Sequence, residues 1–392
     1  MNRGGVLRWA LGVMGLVLLA AVLPYAAWFL IPARPIAALI VDKTVPEDSR
    51  REHTGLMWVL NHLRYVRTDG EPWRYERDYA GFIPLPNGHY QVRPLPATAR
   101  GYDLIYLADT YGVYIDDFER LNVAGTHSPK IYGGMSEAEV RSIREGVDAG
   151  ATLVGEFNTF ASPTEGAARA GLEDLFGVTW TGWAGRRFDD LTPNVEVPVW
   201  AVTDYQTQYG RPWAFSGPGF LFVHESGRVV VLAEPGDIGR DGATLVFEPG
   251  RAAAYHARDA VPYHYWFDIV EPRAGTAVEA RYQLAVTDYG RLVLTRAKIP
   301  WTFPAILRRD GPHAPIYYFA GDFADNRFVP SWTRYRWAAV TARWMPATFQ
   351  SVTNLFYWRV YEPLLETILG QVHHASSAAT PAPIIHLKLC SR

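Results

Sequence analysis

The chain has 392 residues, 48% hydrophobic and 20% charged, which excludes wholesale disorder and leaves room for two domains or one domain with an insertion. A formal net charge of -2, with Lys and Arg scattered, argues against nucleic-acid binding, because no basic stripe gathers the cations. The single cysteine, Cys390, excludes an internal disulfide and any cysteine-based metal site.

The first element is the uncharged run Trp9 to Ile31. At about 1.5 Å per residue it can cross a hydrocarbon core of roughly 30 Å. Arg3 and Arg8 precede it, and Tyr25 interrupts any small-x-small cleavage pattern. Residues 1–34 are therefore expected to form an uncleaved signal anchor. The N-terminus would lie in the cytoplasm and the main domain outside it, in the periplasm or on the cell surface. A cleaved signal peptide is the competing reading, and it exports the domain equally well. Trp28 and Pro32 suit the outer interface.

The apolar run Ile36 to Pro46 ends in Asp42, Lys43 and Thr44. Ser49 to Glu52 has the pattern of a capping box, followed by an amphipathic helix. Thr68 to Arg100 reads as loop with one short strand. Tyr102 to Tyr114 gives a second buried strand ending at Asp109. Ser136 to Glu139 is a further capping box. Val140, Ile143 and Val147 share one helical face, and Gly150 ends that helix. Ala151 to Gly155 supplies a third strand. Ser162 caps the next helix, with Pro163 at its first position, running to about Phe176. Alternating strands and helices over residues 35–192 predict a mostly parallel sheet with helices on both faces.

Near Pro193 the apolar period changes to two. Residues 193–312 read as an antiparallel β-rich insertion, with "EVPVWAV" as a strand and "ESGR" and "DYGR" as hairpin turns. Residues 313–372 hold the last sheet strand, within Ala314 to Asn326, and an aromatic helix from Ala347 to Leu369. The Ser/Ala/Pro-rich stretch 373–392 reads as a disordered tail.

Asp42, Asp109, Glu156 and Asp322 each follow an apolar strand. If those strands are parallel, the four acids gather at one carboxyl edge, where open α/β sheets bind ligands. Any one of them singly is better explained as a turn or helix-cap residue. Asp109 and Glu156 are the candidate acid/base pair, since neighbouring strand ends bring carboxylates within glycosidase spacing. Asp42, Lys43, Tyr111, Asn158, Thr159, Asp322 and Asp325 are candidate binding residues. Thr181 to Asp190 reads as a loop in which Trp183 and Arg186 could clamp a sugar or an acidic ligand; a local Arg–Asp network is the plainer reading. Carboxylates at the sheet edge could hold a metal, but their spacing is not diagnostic; no metal ligand is assigned and no cofactor is expected. No Ser-hydrolase elbow or phosphate loop occurs.

The stretches "GGMSEAEVRSIREGVDAGATLVGEFNTFASPT" and "APIYYFAGDFADN" resemble the class I glutamine amidotransferase-like, flavodoxin-like domain. The resemblance is to degenerate versions associated with glycoside hydrolases and polysaccharide-handling proteins. It covers Ile36 to about Leu191 and returns near Ala314. True amidotransferases carry a nucleophilic Cys in the elbow after the third strand, where this chain has Glu156, Phe157, Asn158 and Thr159. The departure argues against glutamine hydrolysis and transfers no catalytic residue. What the resemblance implies is a flavodoxin-like fold and an association with carbohydrate. Two functions are expected from these features. One is a membrane-anchored protein that binds or hydrolyses an envelope or secreted polysaccharide. The other is a non-catalytic scaffold or ligand sensor with an envelope-protein partner.

Overall fold

The computed structural model describes residues 3–119, 128–193, 196–326 and 329–379. Helix α1 (Arg3–Phe29) is, among the described residues, the one helix long and apolar enough to cross a membrane, judged by length and composition. Strand β1 (Ala38–Asp42) leads into α2 (Arg51–His62). Strands β2 (Ala80–Leu85) and β3 (His89–Arg93) form a hairpin where the sequence pattern suggests a loop with a single strand. Strand β4 (Leu104–Asp109), α3 (Glu137–Asp148), β5 (Thr152–Gly155) and α4 (Gly166–Phe176) complete the first half.

The second half contains β6 (Val178–Phe188), α5 (Val199–Tyr209), β7 (Gly219–His224), β8 (Val229–Ala233), β9 (Ile238–Phe247), β10 (Ala260–Pro262), β11 (Phe267–Pro272) and β12 (Thr276–Val286). Then come α6 (Asp288–Ala297), β13 (Thr302–Asp310), β14 (Pro315–Phe319), α7 (Ala338–Trp344), α8 (Val352–Phe356) and α9 (Glu362–Ala379).

A large mixed sheet has the order β10-β9-β12-β13-β14-β5-β4-β1-β2-β3. Its centre, β14-β5-β4-β1-β2, is parallel throughout. These strands read as unbroken apolar runs because both faces are covered. Ile105 meets α3 at Gly146, whereas Tyr106, one residue on, reaches the Tyr361 hydroxyl at 2.9 Å on the opposite face. Successive side chains of a strand point to opposite sides, so helices from both halves of the chain are needed to bury the sheet. The β-rich region does not stand apart: β9, β12 and β13 extend the same sheet by antiparallel pairing. A smaller sheet, β8-β7-β6-β11, packs beside it.

Local chemistry explains several boundaries. At α3, the Ser136 hydroxyl accepts the Glu139 amide and the Glu139 carboxylate accepts the Ser136 amide, a complete capping box. The expected box at Ser49 does not form. Arg50, in the left-handed region, precedes the helix, and the Ser49 hydroxyl bonds Glu47 instead. Ser162 likewise does not cap α4, which begins at Gly166 after Glu165. "VWAV" opens helix α5 after Pro198 at its N-cap, and "DYGR" opens helix α6 with Thr287 as its cap. In both segments, packing against neighbouring strands overrides a short period-two pattern. The "ESGR" turn does join β7 to β8. Thr181–Phe188 lies within strand β6 and is not a loop. Helix α9 passes His373 and His374, inside the expected tail, and ends at Ala379.

Candidate functional site

The loops after β1, β4, β5 and β14 surround one crevice of about 520 Å³, and the small sheet forms its opposite wall. Asp109 stands at its floor. One carboxylate oxygen accepts the Thr44 hydroxyl at 2.5 Å and the Tyr111 amide at 2.7 Å; the other accepts the Asn158 side-chain amide at 3.0 Å. Burial pushes Asp109 up to about 7, against the pull of these hydrogen bonds. A carboxyl group near 7 exchanges a proton at neutral pH, as a general acid or base must.

Asn158 occupies the strand-to-helix turn with φ at 64°. Its strained backbone directs the amide toward Asp109, and such strain persists only where the surroundings hold it. Thr159 turns away, donating its hydroxyl to the Glu156 carbonyl at 2.6 Å.

A second acidic group lies on the α2 side. One carboxylate oxygen from each of Glu52, Asp322 and Asp325 lies within 4.8 Å of the other two. Arg51 supplies the counter-charge, 2.8 Å from Glu52 and 3.6 Å from Asp325. Burial, reinforced by neighbouring acids, holds Glu52 and Asp322 well above the usual carboxylate range. These three acids are the described residues whose oxygen donors could converge on a hard cation.

The other wall is aromatic. Trp180, Trp200 and Trp266 face the crevice, and Trp266 stacks on Phe157 with ring centroids 6.1 Å apart. His224 also lines it, seated over Gly182, whose missing side chain leaves the ring its room. The Ser226 amide donates to His224 Nδ1 at 3.1 Å, which leaves Nε2 as the donor of the neutral ring.

Several expected residues lie elsewhere. Glu156 is fully buried below the crevice. It takes the Tyr106 hydroxyl on one oxygen and the Phe323 and Ala324 amides, at 2.8 and 3.0 Å, on the other. It is not placed to act on a ligand beside Asp109. Asp42 is buried too, with His53 Nδ1 at 2.6 Å from one oxygen and the Thr44 amide at 2.9 Å from the other. Lys43 points to the far side, donating to the Glu139 carboxylate and the Gly134 carbonyl, each at 2.7 Å. Burial lowers its pKa, with Glu139 opposing. Trp183 packs inside, 4.9 Å from the His224 ring. Arg186 lies over Phe188 and Tyr265 and pairs with Glu196 at 3.2 Å. Thus Asp109, Tyr111, Asn158 and Asp322 line the crevice, with Asp325 beside it. Glu52, Trp180, Trp200, His224 and Trp266 join them without a local sequence signal, except that Glu52 opens the helix after β1.

No protein-family model and no curated protein matches the sequence. Among solved structures, the chain is similar to a protein from Bacteroides uniformis described as ThuA-like, at 10% identity and a TM-score of 0.39, covering 87% of this chain and 92% of that one. It is also similar to Agd3, a carbohydrate deacetylase, at 9% identity and a TM-score of 0.32, covering 74% of this chain and 30% of that one. A β-galactosidase from Bacillus circulans matches at 12% identity and a TM-score of 0.28, covering 57% of this chain and 21% of that one. The chain thus spans about a fifth of the galactosidase. At such TM-scores these likenesses assign neither an activity nor a ligand.

Proposed function

We propose that the crevice binds a saccharide and that the protein presents it from a membrane. The observation that carries this reading is the pairing of the two walls. Flat Trp180, Trp200 and Trp266 faces suit the C–H faces of sugar rings, and the opposite wall offers the carboxyls of Asp109 and Asp322 and the Asn158 amide for hydroxyls. The volume lies within the range of small-ligand sites, about 300–1,000 Å³. The order of the five parallel strands, with β1 between β2 and β4, supports a flavodoxin-like reading, and in doubly wound sheets of that kind ligands bind outside the carboxyl ends.

Anchoring by α1 is supported by its composition and by its attachment. Trp28 near its end is buried and donates to the His62 carbonyl at 2.9 Å, a contact a cleaved segment would not keep. A second reading, hydrolysis of the bound glycan, is favoured by the proton-exchanging Asp109. In it Asp322, which faces the same space, replaces Glu156 as the partner carboxylate.

The test is a titration of the full chain in nanodiscs with soluble envelope-type oligosaccharides, following tryptophan fluorescence. Saturable change that Asp109→Asn weakens is expected. An absence of saturable binding across a broad glycan panel removes the saccharide reading. Release of reducing ends separates hydrolysis from binding alone.

A further inference from the structure

Residues 332–349 form a surface that the crevice does not use. Trp332, Trp344 and Phe349 are 69%, 77% and 78% exposed, and Trp337, Val340 and Met345 are exposed beside them. Exposed aromatics elsewhere on the body, such as Tyr90, Tyr209 and Trp301, are scattered along the chain, whereas these gather within one short segment, and a cluster of this kind marks a contact surface.

Its position names the contact. The segment is tied to the last turns of α1. The Tyr25 hydroxyl donates to the Trp332 carbonyl, and the Arg336 amide donates to the Pro24 carbonyl at 3.3 Å. Tyr25 packs on Tyr335 with centroids 5.5 Å apart, and the Arg334 guanidinium lies 5.1 Å from the Trp28 ring. Pro24 to Phe29 spans about 8 Å of helix rise. The segment therefore meets α1 just before its apolar run ends. In a helix that crosses a bilayer this level is the headgroup–acyl boundary, where Trp and Tyr collect because their rings are apolar at one end and polar at the other.

Charge agrees. Arg336 is exposed and lies 5.8 Å from the Trp337 ring, well placed for lipid phosphate. Arg343 is already engaged by Glu362 and Glu366.

We infer that residues 332–349 are a second membrane contact, a strip of aromatics that seats the body on the bilayer crossed by α1. The inference rests on the anchoring part of the proposed function. Two contacts fix orientation where a single helix leaves the body free to swing. They hold the crevice at a set height and tilt above the lipid, which suits a polymer lying along the envelope.

The test uses the full chain, with Cys390→Ser, in nanodiscs. A fluorescent label is placed at one new cysteine: Val340→Cys or Trp344→Cys on the strip, Leu16→Cys on α1, or Tyr289→Cys on the remote α6. Val340→Cys keeps every aromatic of the strip. Both strip labels should be quenched by nitroxide carried near the lipid headgroup and shielded from aqueous iodide. Leu16 should respond to a mid-chain nitroxide, and Tyr289 to iodide alone. Strip labels open to iodide and untouched by lipid nitroxide, with Leu16 quenched, overturn the inference and leave the anchor standing. Strip labels shielded from iodide yet unquenched by lipid also overturn it, and point to a protein partner or a second copy. An unquenched Leu16 removes the anchor and the inference with it.

Discussion

Glu156 and Asp322 both follow parallel strands at the same sheet edge, yet they serve opposite ends. Glu156 faces inward, and each of its oxygens accepts hydrogen bonds from buried donors. Asp322 faces the crevice, where it meets Glu52 and Asp325 with a single arginine against the three. One carboxyl group is saturated by buried donors; the other sits among acids at a ligand-sized opening, where burial and its neighbours favour the protonated form. The contrast teaches that an acid at a strand end is an edge marker only, and that the direction of the next two bonds decides between scaffold and site.

The sharpest break of this contrast is Glu156→Ala. It strands the Phe323 and Ala324 amides in the interior, at roughly 1–3 kcal/mol for each unsatisfied group, and leaves the Tyr106 hydroxyl with Tyr361 alone. A loss of about 3 kcal/mol or more in denaturant melts is expected, far above the effect of any crevice substitution below. A loss under about 0.5 kcal/mol would mean that Glu156 is not the hub described.

The pH dependence follows from the same group. Burial raises Glu156 from 4.5 to about 8 in the folded chain. A raised carboxyl favours the folded state fully below its unfolded value, and that stability is lost as pH rises through the folded one. Asp109 and Asp268, each pushed up to about 7 from 3.8, act in the same direction. Melting temperature should therefore fall between pH 5 and 8. Glu156→Gln, neutral throughout, should flatten that decline; an unchanged slope would assign it to other groups.

Asp109→Asn should show the reverse pattern to Glu156→Ala. Asn keeps an oxygen for Thr44 and Tyr111, and Asn158 can turn its amide to accept from the new one. Stability should change by no more than about 1 kcal/mol. Saccharide affinity should fall about tenfold, equivalent to about 1.4 kcal/mol. A large stability loss with affinity retained would place Asp109 with Glu156 as scaffold.

The smallest effect is expected from Trp200→Ala, which trims the aromatic wall at a half-buried position on α5. A cost of about 0.5–1 kcal/mol in binding, read by calorimetry, fits one stacking face among three.

Some of this could be read along the chain. The apolar runs at Ala38–Asp42, Leu104–Asp109 and Thr152–Gly155 need cover on both faces, and each is a parallel strand of the sheet centre. The Ser136–Glu139 box forms with Ser136 at the N-cap in an extended conformation, whereas the same spacing at Ser49–Glu52 does not, because left-handed Arg50 takes the N-cap there. Asp109, Tyr111 and Asn158 are legible as crevice residues because each follows directly on a strand end. The aromatic wall was not legible, since Trp180, Trp200, His224 and Trp266 reach the crevice on elements of the second sheet and α5, paired through contacts remote in sequence. The helical state of "VWAV" was hidden for a similar reason, because its apolar spacing suits a strand until a neighbouring sheet claims one helical face.

By itself, then, the sequence determined the apolar N-terminal helix, the parallel strand runs and the presence of acids at their ends, all properties of local periodicity and hydrophobicity. Only the tertiary structure decided which acids face a ligand. Side-chain direction at a strand end depends on whichever buried donors lie within hydrogen-bond reach, and for Glu156 those are amides 167 and 168 residues away.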